Sequence, residues 1–320
     1  MAWSVPIKFE NKIYVIEHRK MGLGVFAEPG LIDEVAAEKI INLVNAAVTK
    51  ATLFFESLAE KAVKGSRVNV LNKSASLYSR FEYLRDMHKQ VVGEAVSRAG
   101  ERIVEEKVTD FGKSATITFP AFDLQKKAEW LGLAAVDAFF SWTEHVMIHI
   151  AILQGKIATG EEVADRASAD WPAKFKGAID LGDPATKRFF DDLLLIRRQL
   201  RNYMAHGAFG RRGEAFTFHS PAGAVPVLLP HQSGGTRFTL VGASAFENPS
   251  ALDVLERFVD HLWSGVCEPA KMYIQDTHLP LILSMAVDGT YKEAMKSAED
   301  MEELIRALEY QFDQAANMDW

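Results

Sequence analysis

The stretch from Phe122 to Gly155 constrains this chain more than any other. Leu124, Ala128, Leu131, Ala135, Ala138, Trp142, Val146 and Ile150 recur at helical steps and form one stripe. Phe139, Phe140, Met147 and Ile148 make the opposite side apolar as well. A helix with one apolar stripe lies on a surface, whereas a helix apolar all round must be enclosed. The fold therefore has to wrap other elements around this segment. A chain of 320 residues is long enough to supply them and to bury a sizeable core.

Candidate enclosing elements are mostly helical. Leu31 to about Lys64 reads as helix, with Ile40, Leu43, Ala47, Phe54 and Leu58 at three- and four-residue steps or their multiples. Gly65-Ser66 interrupts it, and a second run from about Val70 to Lys107 carries Leu77, Phe81, Leu84, Val91 and Val92. Together they predict a long antiparallel helical pair, a structural arm or dimerisation element. Thr159-Gly160-Glu161-Glu162 opens a short helix, and Trp171-Pro172 reads as a connector. Asp183-Pro184 starts a further helix, Asp capping and Pro in the first turn. It runs to Ala205 or His206, with Phe189, Leu193, Ile196, Leu200 and Tyr203 on one face and Gly207 and Gly210 marking its end. Helices follow from about Ser250 to Ser264 and through most of Glu268–Trp320. Alternation predicts a hairpin over 5–16, ended by Gly22, Gly24, Pro29 and Gly30, and two or three short strands over 214–242.

Composition excludes several classes. With Cys267 alone, an intrachain disulfide framework is impossible and a cysteine-based zinc site is nearly excluded. His145 and His149 stand one turn apart, but no second cluster supplies further ligands, so satisfied buried histidines are the expectation and neither metal nor cofactor is called for. Residues 1–10 lack the pattern of a signal peptide, and no stretch has the apolar length to span a bilayer. A cytoplasmic protein with no membrane partner is expected.

Net charge is −7, which argues against a surface coated with nucleic acid. Positive charge is nevertheless concentrated. Between 187 and 212 stand Lys187, Arg188, Arg197, Arg198, Arg201, Arg211 and Arg212, against Asp191 and Asp192. Over 299–320 the balance reverses, and seven acids face one base, Arg306. A solvated helix face is the ordinary reading of such a basic run. The same segment also holds Arg201-Asn202-Tyr203-Met204-Ala205-His206.

That hexapeptide resembles the HEPN superfamily signature: an Arg, four to six residues, then a His, often with Asn after the Arg, near the end of an amphipathic helix. The resemblance covers roughly 122–207. It implies a HEPN-like helical bundle; with the periodicities of the rest of the chain, the expected fold is mainly α, with a long N-terminal helical pair and a small β element near 214–242. The domains would be 1–115 (hairpin and arm), 116–270 (the HEPN-like unit) and 271–320 (a helical extension). It implies a metal-independent endoribonuclease, often a toxin or phage-defence effector, with an RNA substrate, a homodimeric site and an antitoxin or regulatory partner. Arg201, Asn202 and His206 would be catalytic. Arg197, Arg198, Tyr203, Arg211 and Arg212 would bind substrate. An acid on the earlier helix, Glu144 in preference to Asp137, would orient Arg201 or His206. Toxins of this kind silenced by a nucleotidyltransferase often carry Tyr two residues after the His; Ala208 stands there instead.

The chemistry suits the residues. Imidazole transfers protons near neutral pH, and guanidinium offers fixed donors to phosphate oxygens. Attack by the ribose 2′-OH yields a 2′,3′-cyclic phosphate and restricts the reaction to RNA. On an ideal helix Arg201 and His206 lie about 140° apart, while Arg198, Asn202 and His206 share a face. Either the helix ends before His206, or the site is completed otherwise; the resemblance implies completion by a second chain. Three other readings stand beside this one: a non-catalytic RNA-binding or scaffold module, a helix end whose basic residues answer its dipole, and a helical assembly protein built on 31–107. Lys174 and Lys176 are either RNA contacts or a surface lysine pair.

Overall fold

A computed structural model describes residues 3–19, 22–28, 30, 33–109, 112–206, 214–220, 223–228 and 248–316. Its description of side chains leaves out 108, 109, 199, 201–206, 214–220, 223–228, 248–250, 266 and 316.

The chain opens with an antiparallel meander of β1 (Trp3–Phe9), β2 (Lys12–Arg19) and β3 (Gly22–Phe26). Glu10 and Asn11 both have positive φ, 46° and 61°, as a two-residue turn matching the twist of its strands requires. The expected hairpin is present, but the strand pattern does not stop at Gly22; it continues as a third strand. Tyr14 of this sheet is buried with Ala36 and Ile40 in a small separate core. The latter two belong to α1 (Glu34–Lys50), whose start is capped by the Asp33 carboxylate accepting from the Ala36 amide at 3.1 Å. After Ala51 comes α2 (Thr52–Lys64), then β4 (Asn69–Val70), α3 (Ser74–Ser97), and a hairpin of β5 (Ile103–Thr109) and β6 (Gly112–Thr118).

The central element is α4 (Pro120–Leu153). Its stripe is buried as anticipated: Ala135, Trp142, Val146 and Ile150 are fully enclosed, and so are Phe139 and Met147 on the other side. The long partner of α4 is α3, packed along it. This corrects the expected pairing of 31–64 with 70–107: both α3 and the strand β5 come from the second run, and the helix goes to the core. The reason lies in Phe81, which is fully buried against Phe139 at a ring distance of 5.4 Å, whereas α2 buries no residue at all.

Around α4 stand α5 (Gly160–Ser168), α6 (Trp171–Ala178) and α7 (Pro184–His206). The start of α5 is a capping box, Thr159 and Glu162 each accepting from the other's amide. Trp171-Pro172 is no connector; it begins α6, with the Asp170 carboxylate accepting from the Ala173 amide at 2.9 Å. Helix α7 begins as expected, the Asp183 carboxylate accepting from the Thr186 amide at 2.8 Å. Leu193, Ile196 and Leu200 are buried on its inner face, joined by Phe190, while Phe189 is half-buried. Strands β7 (Glu214–Ser220) and β8 (Gly223–Leu228) pair antiparallel, as the alternation anticipated. The chain closes with α8 (Asn248–Leu262), α9 (Glu268–Ile274), β9 (Leu281–Ile282) paired with β4, α10 (Leu283–Val287), α11 (Thr290–Ala294) and α12 (Ala298–Ala316). The protein is mainly helical, with small sheets. Among the described residues no helix is long and apolar enough to cross a membrane.

Polar groups along one seam of this core are paired. The Trp142 indole donates to Ser74 Oγ at 3.0 Å, and Ser74 donates to Gln275 Oε1 at 2.7 Å. Asn72 donates to the carbonyl of Ile274 at 2.9 Å. Such a seam fixes segment 72–74 between α4 and α9, since each unpaired buried group would cost ~1–3 kcal/mol.

Candidate active site

Asp137, Phe140, Ser141 and Glu144 follow one another at i, i+3, i+4 and i+7, so one face of α4 presents all four. Facing them are Asp170 and Pro172 at the start of α6 and Leu194, Arg197, Arg198 and Leu200 of α7. The ten residues line a cleft of about 910 Å3. That is the size of a small-ligand or nucleotide pocket, ~300–1,000 Å3. The cleft exists because α7 buries Leu193 and Ile196 and thereby turns Leu194, Arg197 and Arg198 toward the rim.

Glu144 joins three helices. The Lys174 ammonium donates to its Oε2 at 2.7 Å, and the Arg197 guanidinium donates to its Oε1 at 2.6 Å. Lys174 is 5% exposed, so it is neither an RNA contact nor one of a surface pair. Its burial follows from α6 lying against α4 with Phe175 and Trp171 packed into the core. Lys176 alone of the two is exposed, its ammonium 5.4 Å from the Phe190 ring. Arg197 also lies over Phe140, 5.8 Å from the ring centre. Phe140 meets Trp171 edge-on, and the Trp171 indole donates to Thr143 Oγ1 at 3.0 Å. The back wall is thus an aromatic and hydrogen-bonded brace that fixes where Glu144 and Arg197 stand.

Two charged side chains of the cleft have no such tie. Asp137 and Arg198 are exposed, and no described residue makes an ion pair or hydrogen bond with either. Asp170 is partly spent as the cap of α6. The cleft carries three carboxylates and two guanidiniums.

Helix α7 continues past the cleft through Arg201, Asn202, Tyr203 and His206. Their side chains, and the whole of Arg211 and Arg212, lie outside the described residues. Since the helix runs to His206, the first of the two geometric alternatives does not hold: the chain does not leave the helix before that residue. The backbone positions of Arg201 and His206 are consequently about 140° apart around the axis.

No known protein family, curated protein or solved structure matches this chain.

The histidine pair sits away from this cleft. His149 is 1% exposed, with Nδ1 2.8 Å from the His145 carbonyl and Nε2 3.2 Å from that of Leu71. His145 Nε2 accepts from the Lys73 amide at 3.0 Å. Burial pushes His145 down to about 3, helped by the neighbouring His149, and pushes His149 down to about 4. His149 is buried and His145 half-buried, both with backbone partners, the reading favoured over their spacing by the lack of a second ligand cluster in the sequence. Among the described residues no group of three or more His, Cys, Asp or Glu is arranged to hold a metal ion.

Sequence alone names Lys174 only as an RNA contact or one of a surface pair, and does not single out Asp170, Ser141 or the apolar lining as site residues. Asp137 and Ser141 are readable in principle, being about two turns and one turn before Glu144 on the same face. Lys174 is not, because its role arises from the docking of α6 on α4.

Proposed function

We propose that this chain is a metal-independent endoribonuclease whose phosphate-handling groups come from the C-terminal half of α7. The observation that carries this reading is the continuity of α7. It delivers Arg197 and Arg198 to a nucleotide-sized cleft and runs on, unbroken, into Arg201-Asn202-Tyr203-Met204-Ala205-His206.

In this reading the His206 imidazole takes the 2′-OH proton, the 2′-oxygen attacks phosphorus, and the P–O5′ bond breaks as the 5′-oxygen takes a proton from solvent. Arg201 and Arg198 stabilise the negative charge that builds on the phosphorane oxygens. The products are a 2′,3′-cyclic phosphate and a 5′-hydroxyl. An angle of about 140° on one helix keeps Arg201 and His206 of the same chain from one phosphate. The reading therefore uses two chains, each supplying one of the pair. Glu144 is engaged by Lys174 and Arg197. It acts as the anchor of Arg197, and Asp137, free of described partners in the same cleft, takes the role of orienting Arg201 or His206.

The test is RNA incubated with the purified protein in EDTA, with the new ends analysed chemically. Cyclic phosphate ends and a loss of roughly 100-fold or more in His206→Ala are expected. Cutting by His206→Ala at the wild-type rate, or an absolute need for a divalent ion, would end the reading. A second reading, a helical scaffold module that does not cut RNA, is favoured by the excess of carboxylates over guanidiniums in the cleft, which weakens its pull on phosphate. It predicts no cleavage by the wild type and RNA binding that is weak and unchanged in His206→Ala.

A further inference from the structure

We propose that two copies of this chain join through α1 and α2, packed antiparallel as a two-stranded coiled coil. This does not rest on the ribonuclease reading, and the residues involved lie outside the cleft.

Helices α1 and α2 are separated by Ala51 alone and touch each other only near that junction. Residues 34–64 therefore extend as one bent rod of about 45 Å. Along it, Ala37, Ile41, Val44, Val48, Ala51, Phe55, Leu58 and Ala62 follow at alternating steps of four and three. That is a heptad seam sustained for more than three repeats, the pattern that draws two helices into a left-handed supercoil. The seam is not the face that docks on the chain's own sheet; Ala36 and Ile40, packed with Tyr14, do that, with Val44 at the edge. Instead Ile41 is 48% exposed, Val48 52%, Phe55 50% and Leu58 45%. Phe54 beside the seam is exposed as well.

With ~150–250 Å2 for a whole aromatic side chain and somewhat less for an aliphatic one, Ile41, Val48, Phe54, Phe55 and Leu58 present on the order of 500 Å2 on one face. That is the upper end of the ~300–600 Å2 of the largest apolar patch on an ordinary monomer, a patch that is itself often functional. A standard interface covers ~800 Å2 per partner.

A second copy fits this surface better than another partner because the seam complements itself when reversed. Turned about the midpoint of residues 49 and 50, one copy sets its Ile41 against Leu58, Val44 against Phe55, Val48 against Ala51 and Ala37 against Ala62. Large meets small at the centre, and every a position meets a d position. The charges agree. The rod carries Glu34, Glu38, Glu56 and Glu60 against Lys39, Lys50, Lys61 and Lys64, so it is neutral in a chain of net charge −7. In the reversed register Glu38 comes level with Lys61 and Lys39 level with Glu60. Helix dipoles are also opposed, whereas a parallel pair in register would set each charge level with its own copy.

The experiment is light scattering of the full chain over a concentration series. A mass of twice 35.6 kDa is expected, with Ile41→Asp/Phe55→Asp monomeric and its circular dichroism unchanged. The dissociation constant should rise roughly 100-fold or more in that variant. A monomeric wild type at every concentration, or a double variant that dimerises as the wild type does, would overturn the interface. Orientation is read from mixed single-cysteine chains, Ile41→Cys with Leu58→Cys, in a Cys267→Ser background. A crosslink between 41 and 58 is expected, and one between 41 and 41 would overturn the antiparallel arrangement.

Discussion

Replacing Glu144 by Ala strands a buried cation, and the size of the effect follows from the geometry. The Lys174 side chain is only 6% exposed, and its ammonium has the Glu144 carboxylate as its salt-bridge partner. Removing one member of a fully buried pair costs ~3–5 kcal/mol, because the remaining charge is neither solvated nor paired. Glu144 is 31% exposed, so water partly fills the place of its carboxylate and about half of that cost, ~2 kcal/mol, is expected. Arg197, at 36%, turns to solvent for no more than ~0.5 kcal/mol. The total is ~2–3 kcal/mol, or a melting point lower by roughly 3–5 °C, since ~2.1 cal/mol/K per residue over 320 residues makes each kcal/mol worth about 1.5 °C. Lys174→Met keeps much of the buried volume without the charge. The double variant Glu144→Ala/Lys174→Met is therefore expected to regain at least half of the loss, a coupling of ~1 kcal/mol or more in a double-mutant cycle from denaturant melts. If the two losses simply add, the ammonium is solvated by another route and the reasoning is wrong.

Acid should loosen the joint between segment 71–73 and α4. His145 and His149 are held down to about 3 and about 4, against an ordinary value of 6.5. The unfolded chain therefore takes up protons first, and stability is complete above pH ~6.5 and falls as pH drops toward 4, by up to ~2.7 kcal/mol per pH unit with both histidines involved. Urea midpoints between pH 4 and 7 measure this, and a flat profile would refute it. His145→Gln, which keeps an acceptor for the Lys73 amide, should remove about half of the slope. Gly160→Ala should cost ~1–3 kcal/mol, because a Cβ there would sit 2.6 Å from Val63 Cγ1 and 2.8 Å from its carbonyl oxygen. Thr159→Ala should cost ~1 kcal/mol through loss of the cap. A melting temperature equal to the wild type would refute the tight junction of α2 and α5 for Gly160→Ala, and the stabilising role of the cap for Thr159→Ala. Asp137→Asn should lower RNA cleavage without changing the melting temperature, and a wild-type rate would exclude Asp137 from the site.

Local signals in the sequence were readable wherever the physics is local. The caps at Asp183 and Thr159 are decided within four residues, and Glu10-Asn11 is decided by the turn alone. The enclosed helix 120–153 was also plain, because apolar residues on both sides of a helix leave it nowhere but the interior. What failed was pairing at a distance. Periodicity gave 31–64 and 70–107 the same helical character, but it is blind to which of the two wins a place against Phe139. Phe81 wins it, and 34–64 is left outside. The cleft was half legible for the same reason. Arg197, Arg198 and Glu144 could be named from their helices. That Lys174 would be buried beneath Glu144 depends on where α6 docks, which no spacing along the chain encodes.

Helix α7 is clamped by Phe190, Leu193, Ile196 and Leu200 and then carries six more residues to His206. Every residue beyond the clamp inherits its azimuth from it. One inserted alanine after Leu200 would rotate everything downstream by about 100° and advance it by about 1.5 Å, while leaving the four clamping residues in place. The tail of this helix thus behaves like a key on a shaft, and chain length between Leu200 and His206 is as strict a determinant as the identity of any residue there.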